Sequence, residues 1–142
     1  MLIQMDNSVI TKHWEEIKRT LRVNLLPFAD ADDDALNNIL QSMLVGDMQV
    51  WAIIDADKIL GLGVTQFLNE TASQTLNLLI YSLYGYSFIS QDVWADAIKK
   101  LKIYAKSKGC SNIIAYSKVS RVIEIAENIG ANTELHLINW RL

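Results

Sequence analysis

LNLLIYSLYGYSFISQDVWADAIKKLKIYAKSKG, residues 76–109, is where the chain changes its hydrophobic period. Residues 76–84 form an almost unbroken apolar run, shorter than most helices and followed by a turn signal at Gly85. Such a run predicts a strand covered on both faces. From Ser90 onward Val93, Trp94, Ala97, Ile98, Leu101, Tyr104 and Ala105 recur at three- and four-residue spacing, while Asp96, Lys99, Lys100, Lys102 and Lys106 take the opposite side. That is the pattern of an amphipathic helix. Ser90 suits its N-cap, Asp92 complements the positive end of its dipole, Lys106 and Lys108 the negative end, and Gly109 its stop.

Beyond this helix a strand is expected at 112–116, a short helix over about 120–129 ended by Gly130, and a final strand at 134–140. Toward the N-terminus, strands at 49–54 and 59–68 are joined by Asp55, Ala56, Asp57 and Lys58, a hairpin turn, and a polar turn at 69–73 leads into the strand at 76–84. Ile10, Trp14, Ile17 and Leu21 mark a first helix. Ala35, Leu36, Ile39, Leu40, Met43 and Leu44 mark a second, opened by the acidic cluster Asp30, Asp32, Asp33 and Asp34 and closed near Gly46. The expected class is α/β (α+β), one domain over residues 1–142. A central, mostly antiparallel twisted sheet carries helices on both faces and opens where 76–84 and 112–116 run side by side.

Composition narrows the function. A chain of 142 residues with 51% hydrophobic residues has enough apolar material for a sizeable core. No linker, repeat or low-complexity stretch divides it, and a net charge of −3 leaves no nucleic-acid footprint. The single Cys110 has no internal disulfide partner and no nucleophile signature, so a structural thiol is expected. The start, MLIQMDNSVI, lacks the basic region and apolar core of a signal peptide, and no run approaches the ~20 apolar residues of a membrane span, so a cytoplasmic location is expected. His13 and His136 have no partner at metal-ligand spacing, and no metal site is expected. Lys99, Lys100, Lys102, Lys106 and Lys108 are read as a solvated face, and Trp14 and Trp51 as core. Trp94 is the tryptophan expected to meet a partner or to plug a groove.

The element order and the junction of strand and helix resemble the GNAT superfamily of N-acyltransferases over about residues 10–142. In that family the junction carries Q/R-x-x-G-x-G/A, whose glycines let the backbone and the first helical turn bind the pyrophosphate of acyl-CoA. Matching the helix end YAKSKGC to the family places this turn on ISQDVW, residues 89–94. The resemblance therefore implies cofactor-binding positions at Ser90, Gln91, Asp92 and Val93. No glycine remains there, and Asp92 and Trp94 stand where small residues belong. The family pattern A-x-x-F-Y-E-K-x-G-F is matched by VIEIAENIGA, residues 122–131, in which Glu127 and Gly130 agree. Ala126 replaces the tyrosine that in the family protonates the departing thiolate, and Ala131 replaces the final aromatic residue. No catalytic residue is assigned.

FISQDVW, residues 88–94, and SRVIEIAENIGA, residues 120–131, further resemble GNAT-like virion-associated proteins of tailed phages. This implies a non-catalytic structural or interaction component of a phage particle, without a cofactor, whose partners are other virion proteins and whose setting is the host cytoplasm or the virion. The alternative is a divergent acetyl-CoA-dependent N-acetyltransferase, with backbone groups from Ser90 to Val93 on phosphate and Tyr81, Tyr84 or Glu127 handling protons. A second alternative is a module that binds CoA or a nucleotide without turnover. Acetyl-CoA binding is expected to be weak or absent, and Trp94 or Trp140 to lie near a contact with a partner chain.

Overall fold

In a computed structural model, which describes residues 1–25 and 31–142, the chain runs as β1 (Leu2–Gln4), α1 (Asn7–Lys12), α2 (Trp14–Val23), α3 (Asp33–Val45), β2 (Met48–Asp55), β3 (Lys58–Glu70), β4 (Thr75–Gly85), α4 (Gln91–Ser107), β5 (Cys110–Ala115) and α5 (Ser120–Asn128). The five strands lie in the order β1-β2-β3-β4-β5, antiparallel from β1 to β4 and parallel between β4 and β5. The β2–β3 turn is Ala56 and Asp57, with φ of 49° and 62°, a left-handed pair whose twist matches that of the flanking strands. Asp30, placed in the acidic cluster by sequence, lies outside the described residues. Of the rest of that cluster, Asp32 caps α3 by accepting the Ala35 N–H at 2.7 Å, and Gly46 closes the helix at φ 93°.

Two apolar layers sandwich the sheet. On one face Ile10, Ile17 and Leu21 of α1 and α2 join Leu36, Ile39 and Met43 of α3 over Val50, Ala52, Leu62 and Val64. On the other, Leu101 and Ala105 of α4 pack on Trp51 and Leu78, with Phe67 and Tyr104 beside them. Successive residues of β2 thus serve opposite layers, as the two-residue period of a strand requires. In β4 the neighbours Leu78 and Leu79 are both buried, so both faces are covered at its centre. A chain of polar groups links β2 and β3 along one face of the sheet: the Trp51 indole donates to Thr65 Oγ1 (2.9 Å), that hydroxyl donates to Gln49 Oε1 (2.7 Å), and the Gln49 amide donates to the Gly46 carbonyl (2.8 Å).

Three expectations need correction. The first helix is divided at His13, where φ is −106° and ψ 17°. Two residues before the break, Thr11 Oγ1 donates to the Asn7 carbonyl at 2.8 Å, a back-bond of the kind that bends helices. A short β1 precedes the helices, pairing Leu2–Gln4 with β2, and three residues are too few for a period to register. The final strand at 134–140 does not form: residues 131–142 join no helix or strand, and Leu135 is 86%, Ile138 70% and Trp140 78% exposed. Its apolar alternation shows the capacity to pair, but pairing also needs a strand edge within reach.

Candidate functional site

The sheet opens at one end. β4 and β5 pair from Leu76 with Cys110 to Ile80 with Ala115, after which β4 continues through Gly85 with no pairing to β5. At the same level the β3–β4 ladder slips, with Val64 opposite Ser82 and Thr65 opposite Ile80, so Tyr81 is an extra residue without a partner on β3. Such a bulge frees backbone groups and bends the strand. The fold therefore combines a parallel pair that ends at Ile80 and Ala115 with backbone released from the ladder at Tyr81.

Beyond β4, residues 86–90 turn the chain into α4. Buried Ile89 anchors this loop against Gly61 of β3, where an added Cβ would lie 2.7 Å from the Tyr84 carbonyl oxygen and 3.3 Å from Ile89 Cδ1. Of the four positions assigned to the cofactor by resemblance, Ser90 is the N-cap of α4, its Oγ accepting the Val93 N–H at 3.3 Å. Gln91 accepts a hydrogen bond from the Asn128 amide of α5 (3.2 Å), Asp92 is exposed on the first turn, and Val93 is half-buried. One donor of the turn is thus occupied by Ser90. Arg121, at the start of α5, donates to the Ile89 carbonyl at 3.1 Å and holds its guanidinium 4.3 Å above the Phe88 ring. Between these parts lies a hollow of about 210 Å³ lined by Gly85, Phe88, Ile89, Trp94, Arg121 and Ile125.

A second cluster ties α2 to the same end of β4. Arg19 makes two bonds to the Glu16 carboxylate, at 2.7 and 3.1 Å, and Tyr86 donates its hydroxyl to the same carboxylate at 2.8 Å. The Arg19 guanidinium stands 5.7 Å from the centre of the Tyr84 ring, which meets Tyr86 edge-on at 5.1 Å. Arg19 and then Tyr86 hold the Glu16 carboxyl down to about 2, while burial and then Glu16 push the Tyr86 phenol up to about 12. Glu16 is thus a fixed negative charge, too acidic for an efficient general base at neutral pH.

The residues considered for proton transfer do not converge on one another. Tyr81 packs against the layer formed by α1 to α3, and burial raises its pKa. Tyr84 belongs to the Glu16 cluster. Glu127 accepts a hydrogen bond from Thr133. Among the described residues, no group of three or more His, Cys, Asp and Glu side chains could hold a metal ion. Nor is any helix of the described residues long and apolar enough to cross a membrane. Cys110 is half-buried with its pKa raised by burial, as suits a structural thiol, and the five lysines of α4 and its end are exposed. Sequence reasoning missed Arg121, Phe88, Glu16, Arg19 and Tyr86. Of these, only Glu16 and Arg19 carried a signal, their three-residue spacing on one helix.

No family model and no curated protein sequence matches the chain. Solved structures do match. The aminoglycoside N-acetyltransferase AAC(6')-Iy, in complex with the bisubstrate analogue CoA-S-monomethyl-acetylneamine, superposes with a TM-score of 0.73 at 15% identity, covering 100% of this chain and 97% of that one. An aminoglycoside acetyltransferase from an uncultured soil metagenomic sample gives 0.72 at 14% identity, covering 100% and 94%. An acetyltransferase of Trypanosoma brucei gives 0.65 at 16% identity, covering 100% and 99%. The chain therefore has the GNAT fold of these acetyltransferases, as its element order led us to expect.

Proposed function

We propose that the chain is an acyl-CoA-dependent N-acyltransferase with a divergent phosphate-binding loop. The observation that carries this reading is the end of the parallel β4–β5 ladder at the level of the Tyr81 bulge, with the capped start of α4 beyond the end of β4. Likeness to acetyltransferases, one of them bound to a CoA-based bisubstrate analogue, favours an acetyl-CoA user over the cofactor-free scaffold suggested by the loop alone. Acetyl-CoA would supply the thioester that donates the acyl group. The first turn of α4, from Ser90 to Val93, would meet its phosphates, and Arg121 beside Ile89 adds the positive charge that a glycine-free turn needs. Backbone freed at the Tyr81 bulge would offer a donor where negative charge develops on the acyl oxygen. The acceptor amine would enter from the α2 side, where Glu16, Tyr84 and Tyr86 present a carboxylate and two aromatic rings.

Calorimetric titration with acetyl-CoA, followed by an acetyl-transfer assay over a panel of primary amines, tests the reading. Binding near ~100 µM is expected, with Arg121→Ala weakening it about tenfold. No heat at ~1 mM acetyl-CoA, and no transfer to any amine, would remove it. A second reading, the scaffold kept for its shape in a larger assembly such as a phage particle, is favoured by Trp94, whose ring lines the hollow at the start of α4. It gains if the titration is flat for wild type and binding appears in Trp94→Ala.

A further inference from the structure

A second hollow, of about 450 Å³, lies at the other end of the molecule, within the size range of small-molecule sites. α4 begins at the candidate site and ends at Lys108 beside this hollow, so its 17 residues set the two roughly 25 Å apart. Met5, Ile10, Met43 and Met48 from one apolar layer and the stacked rings of Phe67 and Tyr104 from the other form its walls. Methionine suits such a wall, because its flexible thioether chain adapts to a guest. Two charged residues of opposite sign complete the lining, Asp6 and Lys108. Ile10, Met43 and Met48 are buried and the two charged residues are exposed, so charge stands at the mouth with apolar surface below it. Among the described residues neither charge forms an ion pair within 4.0 Å, with the other or elsewhere. The Lys108 ammonium stands 5.7 Å from the centre of the Tyr104 ring. Asp6 accepts the Ser8 hydroxyl at 2.7 Å and the Val9 N–H at 2.9 Å, both through Oδ1, which leaves Oδ2 for a guest. The Asn7 and Gln49 amides, also in the lining, already donate to the Leu44 and Gly46 carbonyls.

We propose that this hollow binds a free α-amino acid with a large apolar side chain, its ammonium on Asp6, its carboxylate on Lys108 and its side chain between the methionines and the Phe67 and Tyr104 rings. An organic acid would satisfy Lys108 and be repelled by Asp6, and a simple amine the reverse. A zwitterion bridges the two charges that the protein holds apart and leaves neither opposed. The Val9 N–H and then the Ser8 hydroxyl hold the Asp6 carboxyl below its usual value, so it is ionised at neutral pH. The order of the lining, charge outside and apolar wall within, matches the order of an amino acid, whose two charges sit on one carbon and whose side chain extends from it. An aromatic side chain gains most, because it adds ring contacts with Phe67 and Tyr104 to its burial. The site stands apart from the start of α4 and holds whether or not the chain transfers acyl groups.

The test is calorimetric titration of the full chain with L-phenylalanine, with N-acetyl-L-phenylalanine, which lacks the ammonium, and with L-phenylalaninamide, which lacks the carboxylate. One site with a dissociation constant of about 100 µM is expected for phenylalanine, and about tenfold weaker binding for each analogue. The indole N–H resonance of Trp51 should shift saturably on binding, because that ring meets Tyr104 edge-on at 4.8 Å. Lys108→Gln should weaken phenylalanine about tenfold and leave the amide unchanged. Asp6→Asn, which keeps a capping oxygen for α1, should weaken phenylalanine about tenfold and leave the N-acetyl analogue unchanged. Neither heat nor a Trp51 shift at ~5 mM phenylalanine overturns the proposal. An N-acetyl analogue that binds as tightly as the free amino acid also overturns it. So does binding that is lost in Arg121→Ala and kept in Lys108→Gln, which would put the ligand in the hollow at the start of α4.

Discussion

α4 and α5 are both amphipathic helices that follow a strand of the same sheet, yet they are held very differently. α4 begins at Ser90, whose side chain caps it, and buries Ala97, Leu101 and Ala105 against the sheet. α5 begins at Val119, which makes no side-chain cap, and buries nothing. Both sequences carry the apolar stripe that predicts a helix. What separates them is position: α4 lies over strands paired on both sides, and α5 follows the edge strand. An apolar stripe on a helix therefore marks an ability to be buried, and the surrounding sheet decides how far it is used.

The largest expected effect tests this difference directly. Leu101→Ala should cost about 2–4 kcal/mol in denaturant unfolding, since a buried leucine leaves a cavity in a packed layer. Ile125→Ala on α5, half-buried at the edge of the small hollow, should cost less than ~1 kcal/mol in the monomer. Equal losses would erase the comparison.

Capping should give a smaller effect of opposite sign on the two helices. Ser90→Ala should lose about 1 kcal/mol, because the Val93 N–H gives up its partner. Val119→Ser should gain a few tenths to ~1 kcal/mol, because Val119 already has the extended backbone of an N-cap, at φ −85° and ψ 113°, and lacks only the oxygen. Thermal melts of the two variants beside wild type read both changes.

The smallest effect separates the loops that lead into the two helices. The loop before α4 is tied to α2 through Tyr86 and Glu16. Glu16 has its pKa lowered from 4.5 to about 2, so its contribution to stability is complete above about 4.5 and is lost as pH falls toward about 2. Tyr86 has its pKa raised from 10.0 to about 12, so its contribution is complete below 10.0 and is lost as pH rises toward about 12. Protection of residues 86–90 against hydrogen exchange, taken relative to the intrinsic rate at each pH, should fall at the acid end in wild type and show no such step in Glu16→Gln. A step of equal size in both proteins would remove the carboxylate from the explanation.

What could be read from sequence follows from where each signal is stored. Strand β4 and helix α4 were legible because Leu78, Leu101 and Ala105 repeat at the period of their element and Ser90 and Gly109 punctuate it. The hairpin at Ala56 and Asp57 was legible from its turn chemistry. Residues 134–140 were misread because alternation records that a segment could pair and not that it does. The turn from β4 into α4 was legible from Gly85 and Ser90, but the side chains around it come from elsewhere in the chain, Arg121 from α5 and Glu16 from α2, and no local spacing joins them to Phe88 or Tyr86. The Tyr81 bulge was invisible because it is a mismatch between two strands, not a property of either one.

The polar chain from Gly46 through Gln49 and Thr65 to Trp51 bears on how β2 and β3 choose their alignment. A slip of one residue would turn the apolar side chains of β2 to the wrong layer, and hydrophobic patterning alone forbids it. A slip of two residues keeps every side chain on its own face, so patterning tolerates it. It would, however, separate Gln49 from Thr65, which now stand directly opposite, and strand buried amide, hydroxyl and indole groups at about 1–3 kcal/mol each. Three polar side chains therefore act as a lock on strand alignment, rejecting the two-residue slips that the oily residues of this sheet would accept.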